Sequence, residues 1–93
     1  VYSNGDNAII TNNRIVNSIG GGGRVNCIIS NNIFRNSGIY NLSGAVINYN
    51  TFYVSSGHIL NNVDGSTFTN NIIDARTQTT GYLVADTFTN GTT

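Results

Sequence analysis

An all-β solenoid of short parallel strands is the fold class this sequence predicts, and three observations predict it. The first is a repeat: Ile9-Ile10-Thr11-Asn12-Asn13-Arg14-Ile15 returns as Ile28-Ile29-Ser30-Asn31-Asn32-Ile33-Phe34, then as Val46-Ile47-Asn48-Tyr49-Asn50-Thr51-Phe52 and as Thr67-Phe68-Thr69-Asn70-Asn71-Ile72-Ile73. A fading copy follows at Thr87-Phe88-Thr89-Asn90-Gly91-Thr92-Thr93. Successive second asparagines lie 19, 18 and 21 residues apart, and 20 more residues reach Gly91. A fixed period of that size marks coils that cannot bury an apolar face alone and must stack on their neighbours. The second observation is composition. There is no Lys and no Glu, while Asn, Thr, Ser and Gly make up half the chain, so helix is disfavoured almost throughout. The third is that 39% of residues are apolar and placed periodically, which separates this chain from a disordered polar one.

Aligned on the second asparagine, each coil yields its columns in order. Five positions before it stand the small residues Ala8, Cys27, Ala45 and Ser66, and three before it the large apolar Ile10, Ile29, Ile47, Phe68 and Phe88. Side chains alternate along a strand, so these two columns share a face, which is assigned to the interior. Ile15, Phe34, Phe52 and Ile73, two positions after the asparagine, form a second inward column. Keeping both columns inward requires a bend between them, and the aligned asparagine is expected to occupy it, tolerating left-handed backbone angles and bonding nearby backbone groups. Stacked coil upon coil, Asn13, Asn32, Asn50 and Asn71 would bond one another as an amide ladder.

The polar clusters of residues 17–23, 36–38, 55–57 and 77–81 read as loops. Val25, Ile39-Tyr40, Ile59-Leu60 and Tyr82-Leu83-Val84 then supply a third strand that closes each coil. The expectation is one domain over residues 1–93, with four to five coils of about 18–21 residues. A right-handed coil follows from the general rule for parallel crossovers.

The asparagine-rich coil with its stacked isoleucines resembles the right-handed parallel β-helix repeats of the pectate-lyase-like superfamily, and the resemblance covers essentially the whole chain. Members of that superfamily include polysaccharide lyases, glycoside hydrolases, epimerases, phage tailspikes and asparagine-rich surface adhesins. The resemblance therefore implies an extracellular or cell-surface protein with polysaccharide among its candidate partners. Enzymes of this kind work with clustered carboxylates, often around calcium, and an Arg or Lys base. This chain has only Asp6, Asp64, Asp74 and Asp86, with Arg14, Arg24, Arg35 and Arg76. Asp6 and Asp64 share a column three coils apart, about 14 Å, beyond the ~5–9.5 Å of a catalytic carboxylate pair. No catalytic motif of the superfamily is matched, and no catalytic residue, metal ligand or cofactor is assigned.

His58 has no second His or Cys near it in the chain, and Cys27, in the small inward column, reads as packing. Gly20 to Gly23 lacks the Gly-Lys-Ser/Thr of a phosphate loop and reads as a turn insertion. The neutral, sparsely charged chain lacks the basic footprint of a nucleic-acid binder, and no apolar run is long enough to span a bilayer. The lone Cys27 leaves the redox compartment open, and a start at Val1 suggests a processed product or a piece of a longer chain.

Two surface features remain. Ile9, Ile28 and Val46 form an outward apolar strip continued by Thr67, Thr69, Thr87 and Thr89, a candidate contact surface. Tyr40, Tyr49 and Tyr53 are candidates for stacking on sugar rings. The functional expectation is a structural or adhesive solenoid that stacks end to end as a homo-oligomer or forms neighbouring coils of a longer surface protein. The alternative is a fragment of a polysaccharide-active lyase, hydrolase or tailspike whose catalytic residues lie elsewhere.

Overall fold

A computed structural model of the chain describes residues 6–55, 59–75 and 84–85. Twelve short strands and no helix make up these residues. In chain order they are β1 (Ile9–Thr11), β2 (Arg14–Ile15), β3 (Ile19–Val25), β4 (Ile28–Ser30), β5 (Ile33–Arg35) and β6 (Ile39–Ser43), followed by β7 (Val46–Asn48), β8 (Thr51–Tyr53), β9 (Leu60–Asn61), β10 (Thr67–Thr69), β11 (Ile72–Asp74) and β12 (Val84–Ala85). They form three four-stranded sheets, β1-β4-β7-β10, β2-β5-β8-β11 and β3-β6-β9-β12, and every pairing is parallel. Each strand thus pairs with its equivalent one repeat away, and the chain is a parallel β-solenoid.

The first sheet keeps one register throughout: Ile10 opposes Ile29, Ile29 opposes Ile47, and Ile47 opposes Phe68. Ile15, Phe34, Phe52 and Ile73 align in the same way in the second sheet. Ile29, Phe34, Ile47 and Phe52 are fully buried, with Ile15 and Phe68 nearly so. The Phe34 and Phe52 rings stack with centroids 4.5 Å apart, and Phe68 meets Phe52 at 5.7 Å in a tilted contact. Such pairs add roughly 0.5–1.5 kcal/mol beyond the area they bury.

Two residues expected in the core are not buried. Ile10 is partly buried and Ile73 is 39% exposed, because β1 and β11 are the outermost strands of their sheets in the described residues and are covered from one side. Phe88, Thr87, Thr89, Gly91, His58, Asp86 and Arg76 lie outside the described residues.

The third sheet carries more of the core than its sequence signals. Ile19, Ile39, Ile59 and Val63 are completely buried, and Leu42 and Leu60 nearly so. The composition of residues 17–23 predicts a loop, but β3 begins at Ile19 and runs through the glycines to Val25. Between the pairs Gly20↔Tyr40 and Arg24↔Leu42, β3 has three residues where β6 has one, so the glycine run is a bulge in a strand.

Candidate functional site

Between the first and second sheets the chain turns through two residues of each repeat, both asparagine except for Tyr49 in the third, and the two do different work. Asn12, Asn31, Tyr49 and Asn70 have φ of 63°, 58°, 57° and 56°. The left-handed bend therefore sits one residue before the expected position, on the first member of each pair. This follows from side-chain direction: the bend leaves the first side chain in solvent and turns the second inward, where Asn32 and Asn50 are each 1% exposed. A second left-handed column, Asn7, Asn26, Gly44 and Gly65, forms the corner before the first sheet. Asparagine and glycine hold it because a side chain with a branched or bulky Cβ is disfavoured there.

The inward asparagines form a continuous chain of amide hydrogen bonds. Asn13 donates from Nδ2 to Asn32 Oδ1 (3.2 Å), Asn32 to Asn50 Oδ1 (3.1 Å) and Asn50 to Asn71 Oδ1 (3.1 Å). The same oxygens accept the backbone N–H groups of Asn13, Asn32 and Asn50 at 2.9–3.0 Å. Nδ2 of Asn32 also reaches the carbonyls of Ile10 and Ser30, and Nδ2 of Asn71 those of Ile47 and Thr69. Each amide thus ties the bend of its own repeat to the next. Among the described residues no buried side-chain nitrogen or oxygen lacks a partner. Cys27 is fully buried in the small column, and neighbouring Ser66 Oγ accepts the Ala45 N–H at 2.9 Å.

The outward face of the first sheet carries Ile9 (68% exposed), Ile28 (40%) and Val46 (39%) in one row, ending on the half-buried Thr67. Alongside runs a hydroxyl and amide row of Thr11, Ser30, Asn48 and Thr69. The three tyrosines are not brought together. Tyr40 belongs to the third sheet, Tyr49 to the bend, and Tyr53 to the end of β8 in the second sheet, where the Arg35 guanidinium lies over its ring at 4.5 Å. One face of the Tyr53 ring is therefore already covered.

The acidic residues are dispersed as well. Val25 and Ser43 stand between Asp6 and Asp64 in one column, and Asp6 Oδ1 accepts the Val25 N–H at 3.1 Å. Asp74 opposes Tyr53 in the second sheet. Among the described residues no three His, Cys, Asp or Glu side chains converge on a metal-sized site. None of the helix length and apolarity needed to cross a membrane is present in those residues either. The repeated elements here are the buried amide ladder and the two outward rows beside it. The chain matches no known protein family, no curated protein and no solved structure.

Proposed function

We propose that the chain is a structural or adhesive β-solenoid of an extracellular surface, stacking end to end into filaments or forming part of a longer solenoid. The observation that carries this reading is the polarity of the ladder: each asparagine amide donates to the same oxygen of the following repeat, so every coil is a template for the next. A second copy presenting the same bend and register meets the same pattern of donors and acceptors. The Ile9, Ile28 and Val46 row offers such an assembly a lateral contact strip, which Thr67 continues while Thr69 ends the row alongside. Right-handed coiling, kinship with the pectate-lyase-like superfamily and placement outside the cell belong to the same proposal. The handedness rests on the rule for parallel crossovers, and the other two on the repeat resemblance.

Negative-stain electron microscopy of the 93-residue chain, beside size-exclusion chromatography over a range of concentrations, tests it. Regular filaments and concentration-dependent growth are expected. Discrete monomers at every concentration would overturn end-to-end stacking. Release of unsaturated oligosaccharide from acidic polysaccharide, strengthened by calcium, would favour a polysaccharide-active enzyme instead.

A further inference from the structure

The described strand β6 carries Asn41-Leu42-Ser43, an asparagine with a hydroxyl residue two positions on and no proline between. We infer that Asn41 is an acceptor for N-linked glycan, with a lipid-diphosphate-linked oligosaccharide as donor. The inference rests on the reading of the chain as an extracellular solenoid, and three observations in the fold support it.

First, the motif straddles the wall of the solenoid with its reactive parts outside. Leu42 is 1% exposed, whereas Asn41 and Ser43 on either side of it are exposed. Second, the amide of Asn41 is engaged at its oxygen: Asn62 Nδ2 donates to Asn41 Oδ1 at 2.9 Å. The ladder asparagines are the reverse case, since Nδ2 of Asn32, Asn50 and Asn71 is committed to neighbouring carbonyls and amide oxygens. N-glycosylation replaces one hydrogen of Nδ2 and keeps the carbonyl oxygen, so the Asn62 contact survives a glycan at Asn41. Third, Asn41 lies between the pairs Gly20↔Tyr40 and Arg24↔Leu42, opposite the bulge of Gly21, Gly22 and Gly23. Those three residues are glycines and carry no side chains. The glycan would project from the third sheet, leaving the Ile9, Ile28 and Val46 row on the first sheet uncovered.

In the transfer, Asn41 Nδ2 attacks the anomeric carbon of the donor sugar. The nitrogen–carbon bond forms, the carbon–oxygen bond to the lipid diphosphate breaks, and the amide gives up one proton. No redox partner is needed. Asn90-Gly91-Thr92 has the same residue pattern and lies outside the described residues, so site mapping must separate the two.

The test is in vitro. The full chain, presented unfolded and then refolded, is incubated with a purified oligosaccharyltransferase and a short lipid-linked oligosaccharide. An amidase in heavy-oxygen water then removes the glycan, and peptide mass spectrometry locates the labelled aspartate it leaves. Label at position 41 is expected. It should vanish in Asn41→Gln and in Ser43→Ala and persist in Ser43→Thr, which keeps the hydroxyl. The glycosylated chain should also refold with the thermal midpoint of the unmodified one. Unlabelled Asn41 in a reaction that modifies a control acceptor peptide would overturn the inference, as would a glycosylated chain that cannot refold. Neither result depends on filament formation, so the two proposals fail separately.

Discussion

The corner between the first two sheets and the third side of the solenoid are built from the same coils yet obey different rules. At the corner, two residues link the strands in every repeat: Asn12-Asn13, Asn31-Asn32, Tyr49-Asn50 and Asn70-Asn71. Backbone bonds there are nearly identical from coil to coil, with Ile33, Thr51 and Ile72 each donating to the inward asparagine one repeat earlier at 2.9 Å. On the third side, three residues separate β2 from β3 and β5 from β6, while six separate β8 from β9. The strands there vary from two to seven residues, and β3 bulges. Length is fixed where a buried side chain must meet its counterpart above and below, and drifts where only backbone pairing and apolar contact are required.

The largest expected effect comes from placing a charge beside the ladder. Ile29→Asp puts a carboxylate at a site with no exposure, a cost of several kcal/mol that consumes most of the ~5–15 kcal/mol stability of an ordinary domain. The variant should show no cooperative transition in thermal or urea melts followed by circular dichroism. A native-like melt would mean the register of the first sheet is wrong.

Next is Asn32→Leu, which removes a buried amide and strands its neighbours at Asn13, Ile10 and Ser30. A loss of about 1–3 kcal/mol in urea unfolding is expected. The same change at the exposed Asn13 should cost below about 1 kcal/mol, so the pair reads out burial within one column. Equal costs would erase the distinction between the middle of the ladder and its end.

The bend itself gives a gain. Tyr49 adopts φ 57° where its equivalents are asparagines, and Tyr49→Asn should stabilise by about 1 kcal/mol by relieving left-handed strain. A neutral result would mean that the exposed tyrosine ring makes compensating contacts. Smallest of all is the response of the third side to length: two extra glycines within Gly20 to Gly23 should shift stability by no more than about 0.6 kcal/mol. A large loss there would show that the bulge is as tightly specified as the corner.

What was legible in the sequence follows the same division. The corner announced itself because its columns are constrained: Ile10, Ile29, Ile47 and Phe68 align with no shift, and the second asparagine recurs at Asn13, Asn32, Asn50 and Asn71. Which asparagine bends was not legible, since both tolerate left-handed angles and only Tyr49 in the first position hints that the second is the one under constraint. The third side is poorly marked in the sequence. Ile19 and Val63 sit among glycine, serine and asparagine, and no constant offset from the aligned asparagine marks this side as core, Ile19, Ile39 and Ile59 lying 6, 7 and 9 residues after it, yet both Ile19 and Val63 are completely buried. The glycine run disguised a strand as a loop, because backbone pairing leaves no trace in side-chain pattern. The outward rows were visible as alternation, but the dispersal of Tyr40, Tyr49 and Tyr53 depends on how the coil closes, which the local pattern does not contain.

Side-chain amide hydrogen exchange, followed by nuclear magnetic resonance on the nitrogen-15-labelled chain, tests most directly that buried asparagines tie the coils together. The Nδ2 protons of Asn32 and Asn50 should exchange as slowly as the backbone amides of Ile33 and Thr51 beside them, while those of the exposed Asn41 exchange rapidly. Fast exchange at Asn32 and Asn50 within an otherwise protected sheet would contradict the ladder, and with it the account of what holds this solenoid in register.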